Sequence, residues 1–276
     1  MKHALLSLLL LVPCAVAAAG QEVRLPGPDI ELVGRLYAAE GKERLPAVVL
    51  LHGCSGMWAR HGVPTKSYEA WALHLQKRGF TALLVDSFGP RGEKEICTQK
   101  DRRVTPGRDR AADAYAALRW LAERPEIDPG RIHVLGWSNG GTTVLQALRS
   151  EAPGRTADGP RFRSGVAFYP GCGPLSRIAY RPAEPLLIQA GAADDWTPAG
   201  DCVKLAARAR ERGAAVEIDV YDDAHHAFDR VDGRVRHRPD VRNPSAPTGW
   251  GATVGPNPRA REKAIARATA FLEAAR

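Results

Sequence analysis

This chain carries short strand-like blocks, largely apolar but one interrupted by His133 and one by Glu217 and Asp219, separated by longer stretches of mixed character. The blocks lie at residues 47–51, 81–85, 132–135, 165–169, 186–188 and 216–220. Each is only a few residues long and rich in Val, Leu and Ile, the pattern of strands buried on both faces. Between them, apolar positions recur every three or four residues. Residues 67–77 carry Trp71, Leu73 and Leu75; residues 109–123 carry Ala112, Tyr115, Ala116, Leu118 and Leu121; 203–212 and 259–275 complete the set. Such spacing predicts amphipathic helices. The alternation predicts an α/β fold: a mostly parallel central sheet with helices on both faces. Residues 22–38 read as one or two antiparallel starting strands. Residues 229–258 are polar, rich in Gly, Pro and Arg, and lack a period. They are expected to form a long loop, either a lid or a solvated excursion.

The N-terminus departs from this pattern. Met1, Lys2 and His3 make a positive start, an apolar run follows to Val12, and small residues Ala15 to Gly20 come after Pro13. This is the layout of a secretory signal peptide with an A-x-A cleavage site, too short to span a bilayer. The expected organisation is a signal at 1–20 and a single domain at 21–276. Export would leave about 256 residues, which suit one α/β domain. It also changes the reading of the cysteines. Of five, Cys14 falls in the signal, and Cys54, Cys97, Cys172 and Cys202 remain. An even number in an exported chain suggests two disulfides, in any of three pairings. Composition is that of a globular protein, 44% hydrophobic and 25% charged, with a net charge of +8. The basic residues are spread along the chain, and no nucleic-acid-binding pattern accompanies them.

The clearest chemistry is Gly136-Trp137-Ser138-Asn139-Gly140-Gly141. It matches G-x-S-x-G between an apolar strand and a helical pattern. A sharp strand-to-helix turn needs small neighbours and exposes the serine hydroxyl above the sheet. A serine needs a base, and the base an orienting acid. Past the block at 186–188 come Asp194 and Asp195, and past 216–220 come His225 and His226. All stand at the carboxyl ends of strands, the binding edge of an open α/β sheet. Order and position leave either acid and either histidine open. A metal shared by the histidine doublet is not expected, since adjacent residues on an extended chain point apart.

These motifs resemble the dienelactone hydrolase family of the α/β-hydrolase superfamily. That family has a G-x-[CS]-x-G-G elbow, then G-x-x-D-x-x-x-P, then H-x-F. Here they stand as Gly136 to Gly141, as Gly191 to Pro198 with Asp194 at the acid, and as His226-Ala227-Phe228. The likeness runs from about Pro46 to the C-terminal helix. It implies an α/β-hydrolase fold and a triad of Ser138, Asp194 and His226. It also implies an oxyanion hole of two backbone N–H groups, from Asn139 and from Cys54 in the loop His52-Gly53-Cys54-Ser55-Gly56. The namesake enzymes carry cysteine where this chain has Ser138, so the resemblance is to the serine branch. The layout of an exported subgroup implies disulfides Cys54–Cys97 and Cys172–Cys202.

Three further residues are candidates for substrate binding. Arg91 follows the block at 81–85 and could hold a carboxylate by paired hydrogen bonds. Trp137 and Trp196 lie within the motifs, beside Ser138 and after Asp194, and could line an acyl pocket. The expected activity is an exported serine hydrolase, periplasmic or secreted, cleaving a carboxylic ester or lactone in a small molecule or polymer. It needs no cofactor and no metal, no nucleic-acid partner and no membrane span after signal cleavage. Two alternatives stand beside it. One is a non-catalytic binding protein on the same fold, against which a full set of triad positions argues. The other is a peptidase of prolyl-oligopeptidase type, whose additional propeller has no room in 276 residues.

Overall fold

The computed structural model describes residues 20–59 and 62–275. The expected signal segment lies outside them, apart from Gly20. Ten strands and six α-helices are formed among the described residues. Eight strands make one sheet: β1 (Gln21–Pro26), β2 (Glu31–Tyr37), β3 (Leu45–Leu51), β4 (Thr81–Asp86), β5 (Ile127–Trp137), β6 (Gly165–Phe168), β7 (Leu186–Gly191) and β8 (Val216–Tyr221). Their order across the sheet is β1-β2-β4-β3-β5-β6-β7-β8. The first three neighbours pair antiparallel, and all pairs from β4 to β8 are parallel. The apolar blocks therefore predict the parallel core, and residues 22–38 form two antiparallel strands at its edge.

Strand alternation sends successive side chains of β3 to opposite faces. Ala47, Val49 and Leu51 pack with α2 (Ala111–Ala122), α3 (Asn139–Ala147) and α5 (Ala199–Glu211). Val48 and Leu50 pack with α1 (Lys66–Lys77) and α6 (Pro258–Ala274) on the other face. A one-turn α4 (Gly173–Ser176) follows β6. The chain runs from β3 outward to β4 and then returns past β3 to β5, so the winding direction reverses there. Loops after β3 and β5 thus diverge on either side of a crevice, where open α/β sheets bind ligands.

The stretch at 229–258 is not the structureless loop its composition suggests. It contains an antiparallel ribbon of β9 (Arg236–Arg242) and β10 (Trp250–Val254), with a register shift between Trp250 and Ala252. Strand β9 reads Arg-His-Arg-Pro-Asp-Val-Arg, and only Val241 is buried, so no alternating apolar face betrays it. Polar anchoring replaces a hydrophobic stripe. The Arg242 N–H donates to the Cys97 carbonyl at 2.8 Å, and the Thr253 N–H and hydroxyl donate to the Asp195 carboxylate at 2.7 and 2.8 Å.

Candidate active site

Ser138 closes β5 and opens α3 with φ 53° and ψ −114°, a positive φ that only a tightly constrained non-glycine residue adopts. The glycines around it permit this turn. A Cβ on Gly136 would overlap the Gly140 carbonyl, and one on Gly140 would overlap the Leu51 and His52 carbonyls at the end of β3. The elbow is thereby pressed against the neighbouring strand. The Ser138 N–H is tied to the Phe168 carbonyl at 2.9 Å.

The structure brings Ser138, His226 and Asp194 together. His226 Nε2 lies 2.8 Å from Ser138 Oγ, and His226 Nδ1 lies 2.8 Å from Asp194 Oδ2. Both partners are almost wholly buried. Asp194 Oδ1 accepts the N–H groups of Trp196 and Thr197, each at 2.9 Å. Burial pushes the Asp194 carboxyl up, but the His226 charge and hydrogen bond and these two N–H donors outweigh it, and the net shift is downward. The carboxylate is held ionised beside the ring. The neighbours in each doublet have other tasks. Asp195 anchors β10, and His225 Nδ1 faces the Ala193 carbonyl at 2.9 Å. The two rings flanking His226, Tyr169 and Trp196, have centroids 4.7 Å from it.

The loop after β3 is fastened on several sides. Its Gly53 N–H donates to Tyr68 Oη at 2.8 Å, and its Cys54 carbonyl accepts the Ile96 N–H at 2.8 Å. Cys54 is bonded to Cys97, and Cys172 to Cys202, the pairing implied by the resemblance. The N–H groups of Cys54 and Asn139 donate to no group among the described residues. His52 is fully buried, and burial together with the Arg110 charge holds its pKa well below the ordinary imidazole value. It stays neutral, with Nδ1 against the Gly53 carbonyl at 2.8 Å, and Nε2 accepts the Ser87 N–H at 3.3 Å.

A cavity of about 470 Å³ opens over Ser138. Its wall includes Cys54, Asn139, Trp196, Arg102 and Arg242. Trp196 thus stands where the sequence places it, and its Nε1–H donates to the Arg242 carbonyl at 2.9 Å. Arg91 does not reach the cavity. Its guanidinium is engaged by both Asp113 oxygens at 2.8 and 2.9 Å and by Asp29 at 2.9 Å, so its paired hydrogen bonds serve the fold. Trp137 is also drawn away. Its Nε1–H donates to Asp229 at 2.8 Å, and it borders a separate 450 Å³ cavity beside Tyr68 and Trp58. Arg102 and Arg242, which sequence reasoning passed over, line the cavity, as do Arg177 and Asp201. Arg102 Nε is buried and has no partner among the described residues. Burial lowers the Arg102 pKa, the Glu95 charge opposes this, and the nearby Arg242 charge lowers it further, with a net fall. Neither Arg102 nor Arg242 lies in a motif or a periodic segment, so no signal marked them. Among the described residues no group of three or more His, Cys, Asp or Glu side chains is placed to hold a metal ion.

A profile of the dienelactone hydrolase family matches residues 32–275, most of the chain. The chain belongs to the dienelactone hydrolase family. Its sheet and helices are those of an α/β-hydrolase, and the family assignment makes it a hydrolase of the esterase and lactonase group. A Bradyrhizobium protein named "Probable 2-oxo-3-(5-oxofuran-2-ylidene)propanoate lactonase" is 28% identical over 226 residues, covering 76% of this chain and 82% of that one. A propionate-bound esterase from Thermogutta terrifontis superposes with a TM-score of 0.66 at 18% identity, covering 93% and 94% of the two chains. An acylaminoacyl peptidase superposes with the same TM-score at 19% identity, and this dienelactone hydrolase family member covers only 41% of that chain. At these identities the two structural likenesses speak for the fold. The two disulfides are compatible with an extracellular protein, and no helix among the described residues is long and apolar enough to cross a membrane.

Proposed function

We propose that the protein is an exported serine hydrolase that cleaves carboxylic esters or lactones through an acyl-enzyme. The observation that carries this reading is the unbroken relay from Ser138 Oγ through both nitrogens of His226 to Asp194, each link 2.8 Å. In the forward step Ser138 Oγ attacks the carbonyl carbon and its proton passes to His226 Nε2. Asp194 faces Nδ1, fixes the tautomer and stabilises the imidazolium. The N–H groups of Cys54 and Asn139 receive the charge that develops on the carbonyl oxygen. His226 Nε2 then returns the proton to the departing alkoxide. Water, deprotonated by the same nitrogen, attacks the acyl carbon and releases the carboxylic acid and Ser138.

Arg102 and Arg242 in the cavity wall support a substrate with a negatively charged group. The name of the Bradyrhizobium relative, a propanoate lactonase, fits the same chemistry. The two disulfides and the signal-like start support export. The test is a panel of neutral and carboxylate-bearing esters and lactones, run on the wild-type protein and on Ser138→Ala. Turnover abolished in the variant, with higher kcat/KM for the carboxylate-bearing compounds, supports the proposal. Wild-type protein inert on the whole panel contradicts it.

A further inference from the structure

Arg110 ends a π-helical turn, Pro106–Arg110, that leads directly into α2. Its side chain is completely buried, one of the largest in the protein to be so. A buried guanidinium normally faces a carboxylate, since leaving its charge unpaired is costly. Among the described residues, Arg110 makes no ion pair. Burial brings its pKa down to about 10, so it is still protonated at neutral pH.

Its hydrogen bonds go to the two sides of the crevice. Nη1 donates to Asn139 Oδ1 at 2.5 Å, and Nη2 donates to the His52 carbonyl at 2.7 Å. The guanidinium carbon lies 4.9 Å from the centroid of the Phe88 ring, a cation–π contact. Nε has no partner among the described residues. Asn139 directly follows Ser138, and His52 is two residues before Cys54. One rigid planar fork therefore joins the elbow after β5 to the loop after β3. These are the segments whose N–H groups at Asn139 and Cys54 donate to no group among the described residues. Gly140 already presses against the carbonyls of Leu51 and His52, so the two segments touch through backbone, and the Arg110 fork pins them further.

We propose that Arg110 is a positioning residue for the oxyanion hole. It sets the spacing of the Cys54 and Asn139 N–H groups, and it places an unpaired positive charge behind them. This inference rests on the ester-hydrolase reading above. Arg110 touches no reacting atom; it acts through the two segments it joins.

The test compares an ester with its thionoester analogue of the same acyl and leaving groups. The thionoester carries sulfur in place of the carbonyl oxygen. Sulfur is larger and a weaker hydrogen-bond acceptor, so it draws little from an oxyanion hole. Arg110→Met is expected to lower kcat on the ester about 100-fold, in the range of losing one oxyanion donor, with KM within about threefold. The thionoester rate is expected to fall less than about fivefold, so the preference for oxygen over sulfur shrinks. Arg110→Lys, which keeps the charge and loses the fork, should fall between the two. Asn139→Ala cuts the same link from the other side while retaining the backbone N–H of residue 139, and it carries the comparison if Arg110→Met does not fold. Equal losses on the two substrates mark a merely structural role and overturn the proposal, as does an unchanged ester rate. Wild-type protein inert on both substrates overturns the hydrolase reading and this inference together. An active wild type with equal losses overturns this inference alone.

Discussion

Replacing both Cys54 and Cys97 by serine separates two things the disulfide between them does. The bond closes a loop spanning 43 residues of sequence. Removing a closure of that length frees the unfolded chain by about 4 kcal/mol at 25 °C. For a domain of this size each kcal/mol shifts Tm by about 2–4 °C, so the variant should melt roughly 8–16 °C below wild type. The effect on the site should be far smaller. Without the disulfide, Ile96 N–H still donates to the Cys54 carbonyl at 2.8 Å, Gly53 N–H to Tyr68 at 2.8 Å, and Arg110 to the His52 carbonyl at 2.7 Å. Three hydrogen bonds therefore hold the loop that carries the Cys54 N–H. A fall in kcat of less than about tenfold is expected below the melting range. Thermal unfolding and initial rates on one short ester, measured on the same preparations, decide it. A loss of activity of more than about 100-fold with Tm lowered by less than about 3 °C would refute the reasoning. It would mean that the disulfide builds the site and the hydrogen bonds do not.

Two further perturbations probe what surrounds His226. Asp229 is buried and accepts hydrogen bonds from Trp71 Nε1 and Trp137 Nε1, both at 2.8 Å, and from the Tyr169 hydroxyl at 2.6 Å. Asp229→Leu strands all three donors and should cost at least about 3 kcal/mol in urea unfolding, whereas Asp229→Asn, which keeps an acceptor oxygen, should cost clearly less. Asp194 has a folded pKa below its ordinary 3.8, so it contributes stability above that pH and loses it as pH falls through the folded value. The stability of wild type relative to Asp194→Asn, followed by urea unfolding, should therefore be constant near neutrality and shrink below pH 3.8. A difference that grows on acidification would reverse the sign of the argument.

The parallel core was legible because most of its strands are buried on both faces and show as nearly continuous apolar blocks, and the elbow because its glycines are demanded by backbone contact. The β9–β10 ribbon was hidden for a physical reason. It is held by Asp195, Thr253 and the Cys97 carbonyl, and such polar anchors leave no period in the sequence. The substrate-side candidates divide in the same way. Trp196 stands in the cavity wall, but Trp137 is turned to Asp229 and Arg91 to Asp113, partners far away in the chain. Conversely, Arg102, Arg242 and Arg110 are scattered arginines in a chain with many, and only tertiary placement distinguishes them. Burial without a carboxylate is what marks Arg110, and burial cannot be read from a lone basic residue at the start of a helical pattern.

The central claim is that Ser138 is the nucleophile of an acyl-transfer site. Incubation with a fluorophosphonate followed by intact-protein and peptide mass spectrometry tests it directly. The expected result is a single adduct, located on the peptide containing Ser138, absent from Ser138→Ala and appearing in parallel with loss of ester turnover. Folded wild-type protein that acquires no adduct, or acquires one at another residue while Ser138 stays unmodified, would contradict it.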